Sequence, residues 1–212
     1  ILMNKNQIIQ NLNLNNLLII SKAIKKHQNF VFYGTLLGLI REKNILKGDD
    51  DIDILINIKL KKKVLKDIKK LKYFSINKKV INDNFVQLIR KEKKVKSFID
   101  LYFYINDKTK NYIEEKHNFL SSVNLKTHSL HIPKKLIFPL KKSKNFENVN
   151  LPKKPVELCR FLYGNTWRKP LKKNSGYRME IVNHKPKLIR RSKLGGITRS
   201  IKLLFNNKFQ KK

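Results

Sequence analysis

Residues 48–56 read GDDDIDILI, a glycine and three consecutive carboxylates followed by an aspartate set between isoleucines and then an apolar run. Asp49, Asp50, Asp51 and Asp53 thus place four carboxylates in five positions of a chain whose formal net charge is +34. A strand sends alternate side chains to one face, so Asp51 and Asp53 project together. Like charges held that close repel and raise each other's pKa unless a cation lies between them. Hard oxygen ligands of this kind suit Mg²⁺ or Mn²⁺.

Just upstream, Phe30 to Tyr33 is a short aromatic and β-branched run that stops at Gly34-Thr35. Leu36, Leu37, Leu39 and Ile40 then indicate a buried helix. The order is strand, turn, helix. Gly34 lets backbone N–H groups approach a phosphate at the helix start, with the Thr35 hydroxyl as a further donor. Arg41, on the same helix, has the planar fork for a bidentate phosphate contact. Singly these signals are weak, because a Gly-Thr pair before a helix is usually a plain cap and an acidic cluster is usually a solvated loop. A glycine turn, a helix and paired aspartates at this spacing are harder to obtain by chance.

Together, residues 33–54, YGTLLGLIREKNILKGDDDIDI, closely resemble the signature of LicD/fukutin-type phosphotransferases, GGTLLGxxRxxGxIPWDDDIDI. These belong to the DNA polymerase beta-like nucleotidyltransferase superfamily, whose pattern is a glycine turn, Asp-x-Asp on a strand and a third aspartate on a later strand. Lys47-Gly48 stands where that signature has Pro-Trp. The resemblance implies that Asp51 and Asp53, with Asp49 nearby, hold divalent metal against a donor diphosphate. It also implies that Asp100, in the apolar run Phe98 to Phe103, is the third carboxylate and helps deprotonate the acceptor. From Leu136 to Pro170 the chain is similar to the family's closing pattern: FPL, a short hairpin, then a helix ending in YG-x-x-W-x-x-P. Pro155 suits that helix's start and Gly164 its C-terminal cap. Tyr163 and Trp167 either stack on a base or sugar or close the core.

Elsewhere the chain reads as scaffold. Residues 5–27 carry Ile9, Leu12, Leu17, Ile20 and Ile24 at helical spacing, and Lys59 to Leu71 forms a second amphipathic helix. Three strand-like runs follow, Tyr73 to Ile81, Phe85 to Arg90 and Val95 to Ile105, with connections short enough to imply a mixed or antiparallel sheet. Asp107 to Asn118 reads as a loop or short helix. His128 and His131 have H-x-x-H spacing but no further ligand nearby, so they read as surface or fold residues.

Lysine and arginine total 49 against 15 acidic residues, which raises a nucleic-acid reading. Only eight of those cations are arginine, and they do not cluster. Lysine spread among Asn and Ile points to compositional drift, so no specific nucleic acid is expected, although such a field still draws anionic substrates and membrane surfaces. The single cysteine, Cys159, excludes an internal disulfide. Without an apolar run of membrane length or a signal pattern, the expected location is the cytoplasm, including its membrane periphery. Met3 is either the natural start or an internal residue of something longer.

The expected fold is α/β (α+β): a nucleotidyltransferase-type small mixed sheet with helices on one face, the metal site at the sheet edge, and a C-terminal helical accessory segment. Residues 1–170 form the catalytic domain. Residues 171–212 form a basic segment whose Ile197, Ile201, Leu204 and Phe205 share one helical face, suited to an anionic membrane surface or to docking on the domain itself. The resemblance implies Mg²⁺- or Mn²⁺-dependent transfer of a phosphocholine- or alditol-phosphate-like group from a CDP-alcohol to a glycan or glycolipid hydroxyl, as in capsule or lipopolysaccharide modification. Two competing readings are a nucleotidyltransferase acting on RNA or a small molecule, and a non-enzymatic basic nucleic-acid-binding protein.

Overall fold

The computed structural model describes residues 4–92, 95–116, 129–171 and 177–190. In chain order the elements are α1 (Lys5–Ala23), β1 (Asn29–Val31), α2 (Tyr33–Arg41), β2 (Asp51–Asn57), a 3-10 turn (Ile58–Leu60), α3 (Lys61–Ile68), β3 (Ser75–Ile76), β4 (Phe85–Glu92) and β5 (Val95–Tyr104). There follow β6 (Tyr112–Lys116), β7 (Ser129–Pro133), α4 (Lys134–Ile137), β8 (Lys141–Lys142), β9 (Asn150–Leu151), α5 (Pro155–Tyr163), β10 (Tyr177–Val182) and β11 (Lys185–Arg190). The fold is α+β, as the sequence indicates.

Five strands form the main sheet in the order β1-β2-β5-β4-β3. β2 and β5 run parallel, and the other pairs are antiparallel. The alternation in the sequence divides the two faces. Ile52, Ile54, Ile99 and Leu101 are fully buried and lie opposite Asp51, Asp53 and Asp100 in the pleat. α1 covers the isoleucine face, its Asn16 reaching Ser97 Oγ at 2.7 Å. Asn4 starts that helix with a reciprocal cap, accepting from the Gln7 N–H while the Gln7 side chain accepts from its own.

Three expectations are corrected. The carboxylate strands β2 and β5 are second and third of five, not an edge, and elements cover both faces. Tyr73 to Ile81 contributes only the two-residue strand β3: Phe74 and Ile76 pack against the core, while Tyr73 and Ile81 at its two ends are exposed. Within Asp107 to Asn118 lies strand β6, paired through its whole length with β7 and burying Ile113 and Glu115.

Pro155 stands in the first turn of α5 and Gly164, at φ +78°, ends it, as expected. The C-terminal segment, expected to be helical, instead forms over its described residues 177–190 a hairpin of β10 and β11 that no sequence motif announces. It docks through His184, whose ring stacks on His131 at 3.9 Å, while Ser129 Oγ lies 2.9 Å from His184 Nδ1. His131 is also stacked on Tyr112, which makes it a fold residue. His128 and the amphipathic stretch 197–205 lie outside the described residues. No described helix is long and apolar enough to cross a membrane.

Candidate active site

Parallel pairing of β2 with β5 sets Asp53 directly opposite Asp100. Asp51, Asp53 and Asp100 each offer a carboxylate oxygen within 4.8 Å of the others, and Asp49, Asp50 and Asp51 form a second such group. Asp51 belongs to both. Asp53 is 5% exposed and Asp100 4%, whereas Asp50 is open to solvent.

Burial governs the electrostatics. It pushes the Asp53 carboxyl well above the ordinary carboxylate range, and repulsion from Asp51, Asp100 and Asp49 pushes the same way, against one backbone N–H from Thr35. Burial and Asp50 raise Asp51. Asp100 is pushed up to about 7 by burial, with Asp51 and Asp50 adding to it, while hydrogen bonds from Gln87 and Tyr102 oppose the rise. Among the described residues, none of Asp51, Asp53 and Asp100 forms an ion pair with a lysine or arginine. The donor set is therefore three hard oxygens, largely removed from water and with no cationic partner among the described residues, and it fits a divalent cation such as Mg²⁺ or Mn²⁺. Asp49, Asp51, Asp53 and Asp100 would hold it.

The glycine turn packs directly on this cluster. Gly34 faces the carboxylates so closely that a Cβ there would lie 2.8 Å from Asp49 Oδ2 and 3.3 Å from Asp53 Oδ2. Thr35 is buried and ties the start of α2 to β2: its Oγ1 accepts the Asp53 N–H at 2.7 Å, and its own N–H donates to Asp53 Oδ2 at 3.3 Å. Its contact is with the carboxylate strand. Arg41, at the other end of α2, donates to Glu42 Oε1 at 2.7 Å and to the Trp167 carbonyl at 3.3 Å, bracing α2 against the segment after α5. Trp167 is 4% exposed, with the Arg168 guanidinium 4.5 Å over its ring, so that ring closes the core. Tyr163 belongs to the site's surroundings. Its phenol is held far above its usual range by burial and by the charges of Asp53 and Asp49, and so stays a hydrogen-bond donor.

Three contributors carry no signal in the sequence. Gln87, opposite Asp100 on β4, donates its amide to Asp100 Oδ1 at 2.9 Å, and Asn77 fixes that amide's orientation by donating to its oxygen at 2.7 Å. Glu115 on β6 is 1% exposed and accepts the Tyr33 phenol at 2.8 Å. That bond anchors Tyr33 at φ +36°, a left-handed conformation that a tyrosine rarely adopts. Asn13 on α1 is fully buried and donates to the carbonyls of Asp49 and Asp51. A glutamine in a strand, a glutamate in a polar stretch and one asparagine among many look ordinary until pairing brings them to the cluster.

Fold and site together define an α+β domain that presents an aspartate cluster on two parallel strands behind a glycine turn. Residues 26–153 match the family described as LicD/FKTN/FKRP, nucleotidyltransferase domain, and the chain belongs to it. Membership makes the protein a transferase. No curated protein matches the chain closely enough to add a named relative.

Proposed function

We propose that the protein transfers a phosphate-linked group, phosphocholine- or alditol-phosphate-like, from a CDP-activated donor to a hydroxyl of a glycan or glycolipid. The observation that carries this reading is the juxtaposition of Asp51, Asp53 and Asp100, their carboxylate oxygens within 4.8 Å of one another, Asp53 and Asp100 buried and Asp51 half-buried, with no described basic side chain paired to them. Family membership supports the transferase part of this reading, and the donor and acceptor class is the one the signature's resemblance implies. A bound divalent cation would supply neutralisation of negative charge building on the donor phosphate.

In this reading the acceptor hydroxyl oxygen forms a bond to the donor phosphorus that bears the alcohol, and the bridging P–O bond breaks to release CMP. Asp100 accepts the hydroxyl proton as the general base. Gln87 and Tyr102 hold its carboxyl in place by hydrogen bonds. Asp49, Asp51 and Asp53 would hold the cation, and the Tyr163 phenol, which stays protonated near Asp53 and Asp49, would donate to a donor or acceptor oxygen. Cell-surface polysaccharide or glycoconjugate modification is the matching context, with the enzyme acting from the cytoplasmic side or the membrane periphery.

Incubating the protein with CDP-choline or a CDP-alditol, Mg²⁺ and a glycan acceptor should release CMP, and Asp53→Ala should not. Pyrophosphate release from a nucleoside triphosphate would instead mark a nucleotidyltransferase. Salt-sensitive RNA or DNA binding that survives Asp53→Ala, without CMP release, would mark a basic binding protein.

A further inference from the structure

α1 ends at Ala23, outside the residues 26–153 that match the family, yet it reaches the acidic loop. Asn13 Nδ2 donates to the Asp49 carbonyl at 3.0 Å and to the Asp51 carbonyl at 3.3 Å. Its direction is not free to reverse. Arg90 can only donate, and it does so to Asn16 Oδ1 at 2.8 Å. That leaves the Asn16 amide to donate to Ser97 Oγ at 2.7 Å. The Ser97 hydroxyl, accepting there, donates in turn to Asn13 Oδ1 in a short hydrogen bond. Asn13 must therefore aim its N–H groups at the loop. Asn13, Asn16 and Ser97 are all 0% exposed, so water does not substitute for any link.

We propose that Asn13 is a positioning residue for the divalent-cation site, an element of this chain's site supplied from outside the matched family domain. By clamping the carbonyls on either side of Asp50, its amide fixes where the Asp49 and Asp51 carboxylates point. The loop needs an external brace: Gly48 immediately before it sits at φ +81° and Lys47-Gly48 has no ring to stiffen the turn. The proposal rests on the cation-holding role assigned above to Asp49 and Asp51.

Mn²⁺ binding to the whole protein tests it, followed by isothermal titration calorimetry and by loss of the free-ion electron paramagnetic resonance signal. Asn13→Ala should weaken Mn²⁺ binding by at least about tenfold, the usual effect of removing an outer partner of a metal ligand. Ser97→Ala, which only releases the amide's orientation, should weaken it by less. Asn29→Ala is the control for a merely structural role: Asn29 is equally buried and also donates to two backbone carbonyls, those of Ile24 and His27, away from the cluster. It should lower Tm and leave Mn²⁺ affinity unchanged. Folded Asn13→Ala and Ser97→Ala proteins that bind Mn²⁺ as the unaltered protein does would overturn the proposal while leaving the proposed function standing. If Asn13→Ala does not fold, Ser97→Ala decides alone. An unaltered protein that takes up no Mn²⁺ overturns the cation reading and this proposal with it.

Discussion

Alanine at Gly34 and at Gly38 places the same methyl group one turn apart on α2, and the structure predicts opposite outcomes. Gly34 has no left-handed φ, so its backbone accepts alanine, and a helical Gly→Ala change contributes about 0.5–1 kcal/mol of stability. The new Cβ lies 2.8 Å from Asp49 Oδ2 and 3.3 Å from Asp53 Oδ2. Asp49 Oδ2 is the end of a side chain on a half-exposed loop, and a retreat of about 0.6 Å restores ordinary contact. Stability is therefore kept, but the carboxylate leaves its place; a misplacement of about 1 Å costs about 100-fold in rate, so a shift of about 0.6 Å costs on the order of tenfold. At Gly38 the Cβ meets the Asn44 carbonyl oxygen at 2.6 Å and the Leu46 nitrogen at 2.9 Å, which are backbone atoms that cannot swing aside. That overlap costs about 1–3 kcal/mol, or roughly 2–10 °C in Tm for a chain this long. Thermal unfolding by circular dichroism and CMP release measure the two effects. Gly34→Ala should keep or raise Tm while losing turnover, and Gly38→Ala should lose Tm. A Gly34→Ala protein with unaltered kcat and Mn²⁺ affinity would refute the reasoning, as would one destabilised as much as Gly38→Ala.

Asp53→Asn should cut transfer by orders of magnitude yet raise the Tm of the metal-free protein near neutral pH. The sign follows from burial: a carboxyl whose folded pKa is raised stabilises fully below its unfolded pKa, and that stability is lost as pH rises through the folded value. For Asp100 the window of loss runs from about 4 to about 7; melts with chelator across that range check it. Arg41→Lys should lower Tm by a few degrees, about 1 kcal/mol, with donor KM unchanged, because an ammonium cannot hold Glu42 and the Trp167 carbonyl together; a raised KM at unaltered Tm contradicts this. Asp67, whose carboxyl is held far below its usual range by His27, then Lys70 and Lys26, stabilises above its unfolded pKa. Asp67→Asn should therefore lower Tm at neutral pH, and the difference should vanish as acid protonates Asp67 in the unaltered protein.

The parts of this molecule that were legible in sequence are those whose physics is local. Alternation in DIDILI fixes which way Asp51 and Asp53 face before any partner strand is known, and an aspartate among Phe98, Ile99, Leu101 and Tyr102 is costly to bury without a purpose. Pro155 and Gly164 mark the ends of α5 by backbone preference alone. What was not legible depends on pairing across long separations. Nothing near Gln87 says that β4 will set it against Asp100, and nothing near Glu115 says that Tyr33 will supply its hydrogen bond. Tyr33 stands where the signature it resembles carries glycine, and φ +36° shows why glycine suits that position. The compensating buried bond to Glu115 becomes visible only in three dimensions.

Charge distribution, finally, separates what lysine abundance does from what the site does. The chain carries 49 basic residues, yet no described one pairs with Asp51, Asp53 or Asp100, while Asp67 alone gathers Lys26, Lys70 and His27. Had the site evolved to hold phosphate by lysine, the cations would stand at its carboxylates and depress their pKa; instead burial and mutual repulsion raise all three. A diphosphate brought near the protein by its positive field would meet net negative charge at the cluster and be repelled. On the proposed function the two features are reconciled: the four aspartates would hold a divalent cation that neutralises them at short range, while the lysines act at long range. Donor recognition, on that proposal, would then rest on the four aspartates and on the residues packed against them, Gly34, Thr35, Gln87 and Asn13, rather than on the basic surface.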